Sequence, residues 1–189
     1  SVQLIGSGNG QTTITDSGSF GSDPLSIQGP ASASRYAITN ASVRVRGESV
    51  TYAGAEGLSI QAGAGVDTFD VQSTHAGTPT SINAGAGLNM FNVGSAAPAG
   101  GGVVDTIQGA LTLTASGSDT LNLDDSGNVG TSDSRSSVAV SNSSISGLGM
   151  AGIDFSGLTR LTMKLGAGDG QVYIDQVSPP TGRNSFQRV

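Results

Sequence analysis

Short blocks in which apolar and polar residues alternate run through this chain, set apart by glycine. TFDV at 68–71, MFNV at 90–93 and TLNL at 120–123 each place apolar side chains two residues apart. A period of two puts successive side chains on opposite faces of an extended strand, so one face of each block is directed inward. LSIQ–AGAG–VDTFDVQ and TSIN–AGAG–LNMFNVG show the local unit of strand, glycine turn and strand, and their turns lie 22 residues apart. A chain reversing over a few residues visits positive φ, which glycine or asparagine adopts at least cost. No stretch sustains a capped apolar period of 3.6 residues, so the expectation is an all-β chain with almost no helix.

Longer self-matches overlie this local pattern. Val50–Val71 and Ile153–Ile174 align at a shift of 103 residues, with Tyr52 on Phe155, Gly54 on Gly157, Leu58 on Leu161 and Ile60 on Met163. The same shift carries the GAG of 63–65 onto the GAG of 166–168. LIGSGNGQTTITDSGS at 4–19 matches LTASGSDTLNLDDSGN at 113–128, placing Ile14 on Leu123 and Asp16 on Asp125. YAITNAS at 36–42 resembles VAVSNSS at 138–144. The blocks keep their order, which predicts two copies of a unit of roughly 100 residues.

On this reading residues 1–74 hold a first, partial copy, 75–110 connecting coils, 111–177 the second copy, and 178–189 a proline-containing tail or linker. Short strands, glycine turns and coils of about 20–30 residues fit a parallel β-solenoid (β-helix), each coil stacked on the last. Tandem β-sandwich domains are the alternative, because the period matches such a domain in size. Reuse of the GAG turn only 22 residues on, at 63–65 and again at 85–87, favours the solenoid. Pro179 and Pro180 offer no N–H and cannot continue a ladder, so the tail is expected to link onward or to cover an edge.

Composition narrows the chemistry. Aromatics are 4% of the chain and tryptophan is absent, so the core is to be built from thin layers of aliphatic residues. The net charge is −6 with only 12% of residues charged, and Lys164 is the one lysine. No basic stripe exists to neutralise phosphates, which argues against nucleic acid as a partner. Cysteine is absent, excluding disulfides, thiolate metal sites and cysteine nucleophiles. No apolar run reaches the roughly 18–20 residues of a membrane-spanning helix, so membrane insertion is not expected.

AGAGVDTFD at 62–70 closely resembles the calcium-binding nonapeptide of the RTX family, GGxGxDxUx, with Ala62 at the first glycine. AGAGLNMFN at 84–92 keeps the form with Asn89 at the aspartate position, TASGSDTLN at 114–122 keeps Gly117, Asp119 and Leu121, and LGAGDGQVY at 165–173 has Gly170 there. More broadly, the chain resembles the glycine- and aspartate-rich repeat arrays of giant bacterial extracellular proteins. The resemblance implies calcium (Ca2+) held between successive turns, and Asp67 and Asp119 are the ligands it points to. Calcium takes six to eight oxygens, which one turn cannot supply. In the family the nonapeptides run in tandem. Here the turns are 22 or more residues apart, so backbone turn chemistry is the competing reading.

Catalytic constellations are sparse. Glycoside hydrolysis needs two carboxylates about 5–10 Å apart. Asp124 and Asp125 are adjacent and face opposite ways on a strand, and the DSG that Asp125 opens, matched by Asp16 in the other copy, reads as a strand-ending Asx turn. His75 is the only histidine, in the polar loop THAGTP, and no GxSxG accompanies it. Arg160 and Lys164 share a strand face that suits solvent. Asn40 and Asn142 head matched N-x-S sequons and are read as turn residues. Tyr52 aligns with Phe155 and Tyr36 with Val138, which suggests core packing and leaves Tyr173 as the one tyrosine without a core role.

The expectation is therefore a structural or adhesive repeat module of a large secreted, cell-surface bacterial protein, a stiff spacer or filament element and not an enzyme. Its partners would be further copies of the repeat or neighbouring domains of a parent chain, with self-assembly through uncovered ends. A carbohydrate-binding module and a β-helix polysaccharide-degrading enzyme are the alternatives.

Overall fold

The alternating blocks do form strands. The computed structural model describes residues 2–3, 10–17, 23–129, 137–167, 171–174 and 185–188, and none of these is helical. The strands are β1 (Val2–Gln3), β2 (Gln11–Thr15), β3 (Leu25–Gln28), β4 (Arg35–Ile38), β5 (Ser42–Val45), β6 (Glu48–Ala53), β7 (Leu58–Gln61) and β8 (Thr68–Val71). They continue with β9 (Thr80–Asn83), β10 (Met90–Val93), β11 (Leu111–Asp125), β12 (Val138–Val140), β13 (Ser144–Gly147), β14 (Met150–Leu165), β15 (Val172–Ile174) and β16 (Ser185–Arg188). All belong to one 16-stranded mixed sheet that curls on itself.

Two runs of parallel pairing make up most of that sheet. In the first, β1, β3, β7, β9, residues 111–114 of β11 and residues 153–156 of β14 lie side by side. Ile27, Ile60, Ile82 and Leu113 fall in register across it and are all buried. The second runs through β4, β8, β10, residues 120–123 of β11 and residues 160–163 of β14, then β16. There Tyr36, Phe69, Phe91, Leu121 and Leu161 form a buried column. The Tyr36 and Phe69 rings stack at 4.8 Å between centroids, and Phe69 and Phe91 at 5.1 Å. Each such side chain contributes about 1.5–3 kcal/mol by leaving water. In-register stacking of like residues adds cross-strand contact on top of that.

The sheet is not purely parallel. Antiparallel meanders join β4 to β5 to β6 and β12 to β13 to β14, which corrects the expectation of an all-parallel solenoid. The cause is local. Arg46 (φ 52°) and Gly47 (φ 84°) close one hairpin, and Leu148 (φ 54°) and Gly149 (φ 74°) close the other. Two consecutive positive φ angles match the tight two-residue turn that suits the strands' own twist. Nor do the halves close as separate sandwiches, because one sheet and one hydrophobic cluster run through both.

The pairing scheme of the first half recurs in the second. β2 lies parallel to β6, as residues 111–114 of β11 do to residues 153–156 of β14. β3 pairs with β7 as residues 121–123 of β11 pair with residues 161–163 of β14. β4 pairs with β8 as β12 pairs with β15, and β7 pairs with β9 as β14 pairs with β16. Finally, β1 stands to β3 as β10 stands to β11. The detail carries over too: Thr39 Oγ1 and Ser42 Oγ lie 2.9 Å apart across one meander turn, and Ser141 and Ser144 Oγ lie 2.7 Å apart across its counterpart. Residues 75–110 contain β9 and β10, each hydrogen-bonded to a strand of either half. Pro179 and Pro180 lie outside the described residues.

Candidate functional site: the stacked turns and the groove beside them

The glycine turns stack directly on one another. A Cβ on Gly85 would collide with the Gly63 carbonyl oxygen, and one on Gly87 with that of Gly65. Gly63 and Gly65 in turn press on the backbone of Pro30 and Ala33. Gly85 and Gly87 have positive φ, at 70° and 121°. Gly63 and Gly65 do not, so there glycine answers to close backbone approach and not to a special dihedral. The third turn, around residues 114–119, flattens into a register shift within β11.

Beside these glycines runs a ladder of buried side chains. Asp67 Oδ1 accepts the Ser34 N–H at 2.8 Å, Asn89 Oδ1 accepts the Asp67 N–H at 2.8 Å, and Asp119 Oδ1 accepts the Asn89 N–H at 2.8 Å. Asp119 Oδ2 takes the Ser116 N–H at 2.8 Å. Each rung caps a backbone donor on the rung before it, where the chain turns a corner and no strand partner is available. Burial holds the Asp67 carboxyl above its ordinary value, and the Ser34 N–H works in the opposite direction. Asp67 Oδ2 and Asn89 Nδ2 are buried without hydrogen-bond partners.

The two aspartates that the nonapeptide resemblance singles out are thus in one ladder, with Asn89 between them. Adjacent rungs lie about 4.8 Å apart, which separates Asp67 from Asp119 by about 10 Å. Calcium–oxygen distances are about 2.3–2.6 Å, so one ion does not bridge both carboxylates. Gly170, the fourth position of the pattern, lies outside the described residues. A different acidic group, Asp16, Asp23 and Glu56, has carboxylate oxygens within 4.8 Å of one another, and Glu56 Oε2 accepts the Asp23 N–H at 2.9 Å. No spacing in the sequence signals that cluster.

On the other face of β8, β10, β11 and β14, polar residues stack in register. Asp70, Asn92, Asn122 and Thr162 are cross-strand neighbours. Asn92 Nδ2 donates to Asp70 Oδ1 at 2.8 Å, and Asn122 Nδ2 donates to Asn92 Oδ1 at 2.9 Å. Arg35 Nε meets Asp70 Oδ2 at 2.5 Å. Asn92, Asn122 and Thr162 line a groove of about 260 Å³ together with the loop at 97–100, Asp124 and Lys164. The alternation in MFNV and TLNL carries this ladder on the face opposite the apolar one.

The remaining candidates sit where solvent or the core claims them. Asp124 Oδ1 accepts the Ser126 N–H at 3.0 Å in an Asx turn, whereas Asp125 is buried and accepts the Val104 N–H at 3.0 Å, so the two carboxylates diverge. His75 is exposed, with Nδ1 at 3.4 Å from Thr78 Oγ1. Asn40 and Asn142 are exposed at the matched meander turns. Tyr36 and Tyr52 are buried and Tyr173 is exposed. Arg160 is exposed and Lys164 half-buried, on one outward face.

No family model, no curated protein and no solved structure matches this chain.

Proposed function

We propose that this chain is a structural, adhesive repeat module of a large secreted bacterial surface protein, working as a stiff spacer whose coils follow a β-solenoid interrupted by antiparallel meanders. The observation that carries this is the continuity of the sheet. β9 and β10 hydrogen-bond to both halves, so no flexible joint separates the repeated units. Tension applied along the stack meets backbone hydrogen bonds and an unbroken hydrophobic core, the features that resist extension. The two polar arrays, the turn ladder and the Asp70–Asn122 stack, direct their Oδ1 atoms at backbone N–H groups and at neighbouring side-chain amides, a role in holding coils together and not in catalysis.

In this reading Asp67 and Asp119 cap backbone donors and do not hold calcium. Calorimetric titration of calcium into chelator-stripped protein is expected to give no heat; saturable heat would restore the ion. The spacer role is tested by pulling a single molecule between handles. Abrupt rupture with release of the hidden chain length is the expected record, and smooth lengthening at low force, as from an entropic spring, would refute it.

One observation favours a carbohydrate-binding reading in second place. The groove over Asn122 and Thr162 offers amide, hydroxyl, ammonium and carboxylate groups of the kind that bind sugar hydroxyls, although among the described residues no aromatic lines it. A glycan array without signal would remove this reading.

A further inference from the structure

We propose that the face formed by β15 and β16 docks the face formed by β1 and β2 of a second copy of this chain, extending the sheet in a fixed register. This rests on the reading of the chain as a repeat module and narrows it to one defined junction.

The junction already exists once inside the molecule. Where the first unit meets the second, β8 pairs with β10 and β9 pairs with residues 111–114 of β11. The recurrent pairing makes β15 the counterpart of β8 and β16 the counterpart of β9. It makes β1 and β2 the counterparts of β10 and residues 111–114 of β11. One unit therefore carries both halves of the contact, one at each end, and a contact of that kind is head-to-tail and repeats without closing.

Exposure supports the assignment. Phe69 and Val71 of β8 are fully buried once β10 is in place. Their counterparts Val172 and Ile174 are 41% and 52% exposed, and Tyr173 between them is 56% exposed. Among the described residues β15 pairs only with β12, β16 only with β14, β1 only with β3 and β2 only with β6. Such an edge, apolar and without a proline or a charge in β15, is a template for another strand.

The register follows from the internal junction. Val71 lies opposite Val93, and Ile82 opposite Leu113. Val93 occupies the position over Leu123 that Val2 occupies over Ile27, and Leu113 the position beside Phe155 that Ile14 occupies beside Tyr52. Carried to the outer faces, Ile174 pairs with Val2 of the second copy, and Phe186 with its Ile14. A second copy is the occupant that brings β1 and β2 together in the geometry this edge already uses.

Sedimentation across a concentration series, with a crosslinking arm, tests the junction. The wild-type chain is expected to form species larger than the monomer, growing with concentration. Val172→Lys combined with Ile174→Lys alters only exposed positions, so it should leave the circular dichroism spectrum unchanged and abolish the association. Since the chain has no cysteine, Ile174→Cys in one copy and Val2→Cys in another are the only thiols. Oxidation should link them, and the pair Tyr173→Cys with Val2→Cys should not. A wild-type chain that stays monomeric, association that survives the lysines, or equal crosslinking of the control pair would each overturn the junction. A monomer that still ruptures abruptly under force sinks the junction and leaves the spacer reading intact. A chain that associates through these edges yet stretches as a spring does the reverse.

Discussion

Tyr36 illustrates how a single atom can sit in conflict with an otherwise favourable column. Its ring stacks on Phe69, but its hydroxyl is buried without a hydrogen-bond partner, and burial pushes its pKa up to about 12. The hydroxyl lies so close to Gly29 that a Cβ there would collide with it. An unsatisfied buried hydroxyl costs about 1–3 kcal/mol. Tyr36→Phe should therefore raise the melting temperature while keeping the stack. Gly29→Ala should lower it in the wild type and much less in the Tyr36→Phe background, because the two residues are coupled. Additive effects in that cycle would show that the hydroxyl and Gly29 do not interact. Asp67 gives a pH-dependent counterpart. Burial raises its pKa above the ordinary 3.8, and Asp125 shifts the same way. A group with a raised folded pKa contributes stability in full below its unfolded value, and loses it as pH rises through the folded one. These carboxyls thus favour the folded chain more at mildly acidic pH than at neutrality. Asp67→Asn keeps an acceptor for the Ser34 N–H, as Asn89 does one rung on, and should flatten the dependence of melting temperature on pH; an unchanged slope would remove Asp67 as its source.

At the scale of strands and turns, the glycines decide how closely coils approach. Gly85 has φ 70° and presses on the Gly63 carbonyl, so Gly85→Ala adds both a left-handed strain and a backbone clash. Gly77, also left-handed at φ 81°, has open space around its Cβ position. Gly85→Ala should cost distinctly more than Gly77→Ala, for which about 1 kcal/mol is expected from the dihedral alone. Equal losses in chemical denaturation would mean that the turns do not pack as described. These turns and the strands beside them were legible in the sequence because period two and glycine punctuation are local signals. The meanders were not. VRVRGESV reads as one alternating run, and the hairpin depends on positive φ at Arg46, a residue type that does not announce it. The match of Ile14 to Leu123 was also misleading. The pairing makes Leu113 the counterpart of Ile14, and an even offset between the two leaves the apolar face unchanged, so the pattern alone does not fix the register. The candidate ligands Asp67 and Asp119 were found as a pair because they share a motif; that they serve backbone N–H groups depends on neighbouring coils that no linear spacing reveals.

For the molecule as a whole, one core shared by both halves implies shared stability. Phe69→Ala removes a fully buried ring from the centre of the aromatic column, a loss of about 3–5 kcal/mol. Hydrogen exchange should then report weaker protection in β14 as well as in β7. Loss confined to β3, β4, β7 and β8 would mean that the units open independently. The exchange of roles between the two parallel runs has a geometric result. β1, β3, β7 and β9 form one run in the first unit, whereas their counterparts β10, β11, β14 and β16 belong to the other run in the second. Each meander likewise changes run, with β5 and β6 following β4 in one and β13 joining β14 in the other. Neighbouring units therefore mount the same loop on different runs of the sheet, and whatever that loop carries would switch from one run to the other with each unit, as leaves alternate along a stem.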